Sequence, residues 1–553
     1  MHYSHVPDIF HLRDLDGKNG FTINAELNEN IADAVTGAGD INGDGINDIL
    51  VGDGNKNAYL IFGNSHTFSS QIYLKNLNGI NGFTINGSQY NDNLGQSVSA
   101  AGDINGDGVD DIAIGAPAYS DVSYKIGQSY IIFGQKETFT NPFSLKLING
   151  TNGFVFRGND RYIGESSGLE ISRLGDVNND GLDDIIVGTQ EYHELSYVIF
   201  GNAKGFNSYI RPENLNGKSG FIIRGMKDDL SFSISVNNAG DINADGIDDI
   251  AVSLPNSLNG AGKSYIIFGD KEQFPEIFDL DALDGNNGFT INGIQESHSG
   301  NAKYIGDVNC DGISDIAVGA PDALRGAGQT YIIYGNQTFP SHINLTDVDG
   351  MNGFVINGIN TITSNNSRGD QSGSSVGNIG DFNGDGIDDF IIGAPQALEG
   401  AGQSYVIFGK SDIFNVELNL SDLDRNDGII INGISSGDMS GWKVRGAGDV
   451  NDDGVDDILI SALCMGFNKI YVVYGQKELV PSPTPQENNP EIDTNLILGL
   501  SILGLGIIAS LTYFAVRYNK QKYSGYSGTV EERQSVLELV DMSGESDHSS
   551  YET

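Results

Sequence analysis

From the N-terminus to Gly475 the chain is a succession of short apolar runs separated by Gly, Asn, Asp and Pro, with no long stretch of helical periodicity. Runs such as Asp111-Ile-Ala-Ile-Gly-Ala-Pro117 are rich in β-branched residues and bounded by turn formers, so they read as buried strands. Other runs recur around them in fixed order. A Gly-Phe-x-Ile-Asn-Gly run (82–87, 288–293, 353–358) comes first, and a Ser-Tyr-x-Ile-Phe-Gly run (129–134, 264–269, 404–409) follows the buried strand. A leucine-alternating run, such as Leu145-Lys-Leu-Ile-Asn-Gly150 or Phe278-Asp-Leu-Asp-Ala-Leu283, supplies the fourth piece. Four strands in about 68 residues, seven times over, predict an all-β, seven-bladed β-propeller. After Tyr474-Gly475 the chain meets Pro481, Pro483 and Pro485, where no strand can form. Asp8 to Gly17 has the fourth-strand pattern and no blade of its own, so it is expected to close blade 7 and remove an open sheet edge.

Each buried-strand run is preceded by one nine-residue acidic signature, Asp-x-Asn-x-Asp-Gly-apolar-x-Asp. The copies open at Asp40, Asp103, Asp176, Asp241, Asp307, Asp381 and Asp449, spaced 63 to 74 residues apart. Oxygen-bearing side chains at alternate positions can turn inward on one hard cation, and Gly permits the sharp backbone bend. The expected ligands of the first copy are Asp40, Asn42, Asp44 and Asp48, with Ile46 offering its carbonyl oxygen and burying its side chain beneath. The corresponding sets are Asp103, Asn105, Asp107, Val109 and Asp111, then Asp176, Asn178, Asp180, Leu182 and Asp184, then Asp241, Asn243, Asp245, Ile247 and Asp249. The last three are Asp307, Asn309, Asp311, Ile313 and Asp315, then Asp381, Asn383, Asp385, Ile387 and Asp389, then Asp449, Asn451, Asp453, Val455 and Asp457. An EF-hand would need a bidentate Glu at position 12, which here is Val51, Ile114, Val187, Val252, Val318, Ile392 or Ile460. One isolated copy would equally suit a solvated turn. Seven copies with the same residue types at the same positions favour binding of up to seven Ca2+ ions.

Charge and composition sharpen this picture. The chain has 74 Asp plus Glu against 30 Lys plus Arg, a net charge of −44. Of those carboxylates 27 lie inside the nine-residue loops, where cations would neutralise them. So acidic a surface repels nucleic-acid phosphates and excludes that partner. The two cysteines, Cys310 and Cys464, lie two repeats apart and lack zinc-ligand spacing, so neither a disulfide nor a zinc site is expected. The eight histidines are scattered and no His-Glu-x-x-His, Gly-x-Ser-x-Gly or phosphate-binding loop occurs, so no catalytic residues are expected and the chain does not read as an enzyme.

With these residues in hand, the chain resembles the FG-GAP repeats that build the seven-bladed propeller at the head of integrin α subunits. The Phe-Gly elements are Phe62-Gly63, Phe133-Gly134, Phe200-Gly201, Phe268-Gly269 and Phe408-Gly409, with Tyr334 and Tyr474 replacing Phe in the remaining two. The Gly-Ala-Pro elements are Gly115 to Pro117, Gly319 to Pro321 and Gly393 to Pro395. The resemblance covers residues 8 to 478. It implies calcium in the loops and recognition of an extracellular protein or glycan ligand on the propeller face opposite them. This chain departs from the family in carrying the calcium loop in every blade, in lacking leg-like β-sandwich segments and in reading Arg517-Tyr-Asn-Lys520 where integrin α tails have Gly-Phe-Phe-Lys-Arg. An integrin β-type partner subunit is therefore not expected.

Beyond the propeller (1–478) lie a Pro-rich linker (479–495), 21 apolar residues without a charge (496–516) and a tail (517–553). The apolar stretch is long enough to span a bilayer as one transmembrane helix. Arg517, Lys520 and Lys522 follow it and Glu487, Glu491 and Asp493 precede it, which places the propeller outside a plasma membrane and the C-terminus in the cytoplasm. Residues Met1 to Pro7 show neither a basic n-region nor an apolar h-region, so an exported propeller is expected to depend on a leader upstream or to be a mature form; tail anchoring in the cytosol is the third option. Gly506 and Ser510 form a small-xxx-small pair, and sequons stand at Asn86, Asn149, Asn336, Asn344, Asn365 and Asn419. Arg368, Gly369 and Asp370 form a candidate adhesive tripeptide in a loop seven residues longer than its counterpart between Gly87 and Asp103. The function expected from the sequence is a calcium-binding, single-pass cell-surface adhesion or recognition receptor. The alternatives are a structural or envelope-associated surface protein without a dedicated ligand and, third, an enzyme-associated propeller resembling the repeat region of GPI-specific phospholipase D.

Overall fold

Seven five-stranded sheets make up the fold, each built on one acidic loop. The computed structural model describes residues 8–477, apart from 26–28, 90–91, 121–125, 160–165, 190–194, 226–234, 273, 362–368 and 465–467. In the sheet of the Asp103 loop, Val98–Gly102, Asp111–Ala116, Gln128–Ile132 and Gly153–Arg157 pair antiparallel in that order. Tyr209–Ile210 adds a fifth strand parallel to the outermost. Every residue of Asp111–Ala116 is buried, because the two faces of this strand pack against the neighbouring sheets. That is why the sequence there is a continuous apolar run rather than an alternating one. Clusters of buried side chains span adjacent sheets all round the ring, as where Leu50, Leu60 and Phe83 meet Ile112, Ile114 and Tyr130.

The order of strands within a unit differs from the sequence expectation. The Gly-Phe-x-Ile-Asn-Gly run is the fourth, outer strand of the preceding sheet, not the first strand of the unit that follows it. The inner strand is instead the run just before each loop, such as Ala34–Gly39 or Val98–Gly102. Its cavity-facing positions are small or polar (Thr36, Ser99, Ser172), so it carries no apolar alternation to read. The leucine-alternating run is short as well. It contributes two or three strand residues, a 3-10 turn and one buried leucine such as Leu74, Leu145 or Leu280, and pairs onto the outer strand of the preceding sheet. Each connection from third to fourth strand thus laces one sheet to the one before it.

Closure follows the same rule and corrects the expectation for residues 8 to 17. Asp8–His11 pairs parallel with Gly428–Asn432 in the sheet of the Asp381 loop, sixth in chain order. The seventh sheet is completed by Gly20–Asn24, which pairs antiparallel with Lys469–Val473. The N-terminus does close the ring, but its first strand laces sheet six and its second fills sheet seven. The reason is the register of buried residues: Phe21 and Ile23 are fully buried, as are Phe83 and Ile85 of the equivalent outer strand. Ile9 is 48 % exposed, as suits an outer edge.

The linker, membrane span and tail expected at 479–495, 496–516 and 517–553 lie outside the described residues. Among the described residues no helix is long and apolar enough to cross a membrane.

Candidate functional site

All seven acidic loops lie on one face of the propeller, because the seven inner strands run in the same direction and each ends at its loop. In each loop, positions 4 and 6 adopt positive φ. Position 4 is Gly43, Gly106, Asn179, Ala244, Cys310, Gly384 or Asp452, and position 6 is always Gly, with φ of 81° to 92°. A Cβ at position 6 would meet open space in the first six loops, so glycine is demanded there by backbone conformation and not by crowding. The carboxylate of position 1 accepts the N–H groups of positions 5 and 6, as Asp103 does from Asp107 at 2.9 Å and Gly108 at 2.8 Å. Position 5 accepts the N–H of position 7, as in Asp107 to Val109 at 3.0 Å. Position 3 joins them in several copies: Asn42, Asn243, Asn309 and Asn383 each accept the N–H of position 5.

The ninth-position aspartates behave differently. Asp48, Asp111, Asp184, Asp249, Asp315, Asp389 and Asp457 are all fully buried. One oxygen accepts the N–H of loop position 2 and the other the N–H of the glycine in the Phe-Gly or Tyr-Gly element. For Asp111 these are Ile104 at 3.1 Å and Gly134 at 2.8 Å. The glycine of the Phe-Gly element thereby ties the third strand to the end of the acidic loop. Burial, reinforced by the nearby position 5 and position 1 carboxylates, pushes Asp48, Asp315, Asp389 and Asp457 up to about 8 and Asp111 up to about 9. Asp184 and Asp249 move in the same direction for the same reasons. In the absence of a cation, burial therefore favours their protonated, uncharged form near neutral pH.

Two further loop positions, 2 and 8, carry structural weight that the sequence pattern does not announce. Position 2 (Ile41, Ile104, Val177, Ile242, Val308, Phe382, Val450) is buried in every copy. At position 7 only Val109, Ile247 and Val455 are buried, and Ile46, Leu182, Ile313 and Ile387 stay partly exposed, which corrects the expectation that all seven are covered. Position 8 clasps neighbouring blades. Asp110 accepts the N–H of Asp40 at 2.8 Å, Asp183 that of Asp103 at 2.9 Å, Asp248 that of Asp176 at 3.0 Å, Asp388 that of Asp307 at 3.0 Å and Asp456 that of Asp381 at 3.1 Å. The glycine before each loop has positive φ, and a Cβ there would collide with the clasping side chain, as Gly102 shows against Asp183. Backbone bonds from Asn47 to Asp449 at 3.2 Å and from Asn64 to Val450 at 3.0 Å join the first loop region to the seventh.

Aromatic stacking holds the units from outside. Phe21, Phe83, Phe154, Phe221, Phe289 and Phe354 of the outer strands stack on Phe68, Phe139, Phe206, Phe274, Phe339 and Phe414, with ring centroids 4.3 to 4.6 Å apart.

For a cation the donor set is one of hard oxygens. Among the described residues no three His, Cys, Asp or Glu side chains form a ready metal cage, because the loop carboxylates accept loop N–H groups. Asn178 Oδ1, at position 3 of the third loop, is nevertheless buried without a hydrogen-bond partner. An uncharged oxygen left bare among Asp176, Asp180 and Asp184 fits an oxygen-seeking cation.

Two of the three residues of the candidate tripeptide are buried. Arg368 lies outside the described residues. Asp370 is 2 % exposed and accepts both the backbone N–H of Asn360 at 3.0 Å and its side-chain amide at 2.8 Å, so its carboxylate faces inward. Gly369 is buried too. Both cysteines are free thiols, as expected.

The FG-GAP repeat family model matches residues 94–132 and 372–407. Among curated proteins, integrin alpha pat-2 of Caenorhabditis elegans is 30 % identical over 251 residues, covering 41 % of this chain and 18 % of the relative. Integrin alpha-PS2 of Drosophila melanogaster is 28 % identical over 228 residues (40 % and 15 %). Integrin alpha-6 of Gallus gallus is 37 % identical over 115 residues (20 % and 10 %). The match spans less than a fifth of the length of these relatives. The chain is thus an FG-GAP repeat protein with an integrin-α-like propeller.

Proposed function

We propose that the propeller is the calcium-rigidified ectodomain of a single-pass cell-surface adhesion or recognition receptor. In this reading residues 496–516 span the plasma membrane, 517–553 form the cytoplasmic tail and the ligand is an extracellular protein or glycan. Up to seven Ca2+ ions occupy the acidic loops and stiffen one face, leaving the opposite face for the ligand. The similarity to integrin α subunits supports an adhesive role, and no catalytic role is assigned to any residue.

One observation on the opposite face carries the choice of ligand surface. In three successive sheets the turn between second and third strands holds two consecutive residues at positive φ: Leu258 and Asn259, Leu324 and Arg325, Leu398 and Glu399. Leucine is poorly suited to this conformation, at a cost of about 1–2 kcal/mol per residue. Each of these leucines is also 47 to 53 % exposed. The fold thus strains an apolar side chain three times over to present it to solvent, a combination typical of binding surfaces.

Replacing Leu258, Leu324 and Leu398 together by Asn tests this. Asparagine accepts the left-handed conformation, so the variant is expected to fold with equal or greater stability. Attachment of cells displaying it to ligand-bearing cells or matrix should fall roughly tenfold or more, since burying a leucine side chain against a ligand is worth about 1.5–3 kcal/mol. Undiminished attachment would favour a surface protein with no ligand on this face.

A further inference from the structure

The inner strands enclose a cavity of about 480 Å3 on the propeller axis. A chain with 74 acidic and 30 basic residues would be expected to line it with carboxylates. Beside the carboxylates of Asp33, Asp110, Glu170 and Asp456, however, Lys303, Lys443 and Arg445 also line it, from the inner strands at 300–306 and 440–448. Lys303 is 7 % exposed. Among the described residues neither lysine ammonium has a hydrogen-bond or ion-pair partner. Arg445 donates to two backbone carbonyls, Val444 at 3.0 Å and Val376 at 3.5 Å, and to no carboxylate.

The acidic groups around the cavity are otherwise engaged or distant. Asp110 and Asp456 line its loop end, where they clasp the N–H groups of Asp40 and Asp381. Asp33 accepts the indole N–H of Trp442 at 2.7 Å, and Arg173 is paired with Asp183 at 2.7 Å. Glu170 acts on both Lys303 and Arg445 from beyond ion-pair distance. Burial, with repulsion from Arg445 and Lys443, drives the Lys303 ammonium well below its usual range. A buried cation short of a counter-ion is costly, and the hydroxyl of Ser99 on the same wall, which accepts the N–H of Arg173 at 3.1 Å, keeps its own proton to donate.

We propose that the axial cavity is a binding site for a small oxyanion, bearing carboxylate or sulfate-type oxygens, held by Lys303, Arg445 and Lys443 with help from the Ser99 hydroxyl. Charge-assisted hydrogen bonds from two ammonium groups and a guanidinium are the strongest contacts available for such a ligand. A volume near 480 Å3 also admits a small organic acid with bridging water. Lys443 stands toward the end of the cavity away from the acidic loops, and the clasping Asp110 and Asp456 line the loop end. The proposal holds whether or not the chain is a receptor.

Titration calorimetry of the full-length chain with sulfate and with succinate, in chloride buffer of matched ionic strength and millimolar calcium, tests it. The wild-type chain is expected to bind one or both probes, one per chain, with Kd of about 1 mM or tighter. Sulfate alone indicates an inorganic ligand and succinate alone an organic acid. Lys303→Met should weaken binding at least roughly tenfold, and in chloride should melt above wild type because it removes the buried cation. A merely structural lysine would lower the melting temperature in both media. Lys443→Gln, at a half-buried position, should weaken binding without affecting folding. No binding of either probe at about 10 mM, or equal affinity in wild type and both variants, overturns the proposal.

Discussion

Removal of calcium by EDTA at neutral pH is expected to lower the melting temperature of the full-length chain by on the order of 20 °C. Each loop gathers three to five carboxylates, and a ligand that binds the folded state alone stabilises it by about 2.7 kcal/mol per site at a hundredfold excess over Kd. Magnesium should substitute poorly, because it demands near-octahedral geometry at short distances, which oxygen-rich loops that vary at their fourth residue are unsuited to impose. The pH dependence supplies a second readout. In the folded, metal-free chain burial pushes Asp48, Asp315, Asp389 and Asp457 up to about 8, against a usual 3.8 for Asp, and raises the other position 9 aspartates in the same direction. A carboxylate whose folded value is raised contributes stability that is complete below the unfolded value and is lost as pH rises through the folded one. In EDTA the chain should therefore lose stability steadily between pH 4 and pH 8, whereas in calcium, where the cation takes over from the proton, the profile should be flat. Scanning calorimetry at pH 5, 7 and 8.5 with and without EDTA measures both effects. Equal melting temperatures in calcium and EDTA, or fewer than about four bound ions by native mass spectrometry, would reduce the loops to turns.

Deletion of residues 1–24 is expected to abolish monomeric folding, and deletion of 1–16 to cost far less. The longer deletion removes Gly20–Asn24, the outer strand of sheet seven, together with the fully buried Phe21 and Ile23 and the stack of Phe21 on Phe68. Burying two such side chains is worth about 3–6 kcal/mol. The loss also exposes the edge of Lys469–Val473, a strand with four buried apolar or aromatic residues, as a template for intermolecular pairing. The shorter deletion removes a four-residue lacing strand at the edge of sheet six, where Ile9 is largely exposed and Leu12 is the main buried contact. Size-exclusion chromatography and light scattering should show aggregates for the first and a less stable monomer for the second. Grafting residues 17–24 after Glu478 should restore the monomer. Comparable monomers from both deletions would mean that sheet seven closes without its fourth strand.

Much of this molecule is written in its sequence, and the limits have identifiable causes. The seven-fold repeat, the all-β class and the identity of each acidic loop are set by local chemistry: β-branched runs between turns, and an Asp-rich nonapeptide whose glycine must take positive φ. A residue whose partners lie within nine positions of it can be read from the chain. What could not be read depends on partners further off, from ten positions for Asp370 and Asn360 to more than four hundred for Asp8 and Ile429. The assignment of the Gly-Phe-x-Ile-Asn-Gly run to the preceding sheet, the lacing of Asp8–His11 onto sheet six and the clasp of Asp110 on Asp40 all join residues of different units. Identical repeats do not say which neighbour a strand will choose; only packing of both sheet faces settles it. The same holds for Asp370, which the sequence offers to a ligand and the fold turns onto Asn360, and for Lys303 and Arg445, which stand 142 positions apart in the chain and meet only because seven inner strands close around one axis. Local residue chemistry determines the units and their loops, while long-range contacts, whose partners no local pattern specifies, decide how the ring closes and what its centre holds.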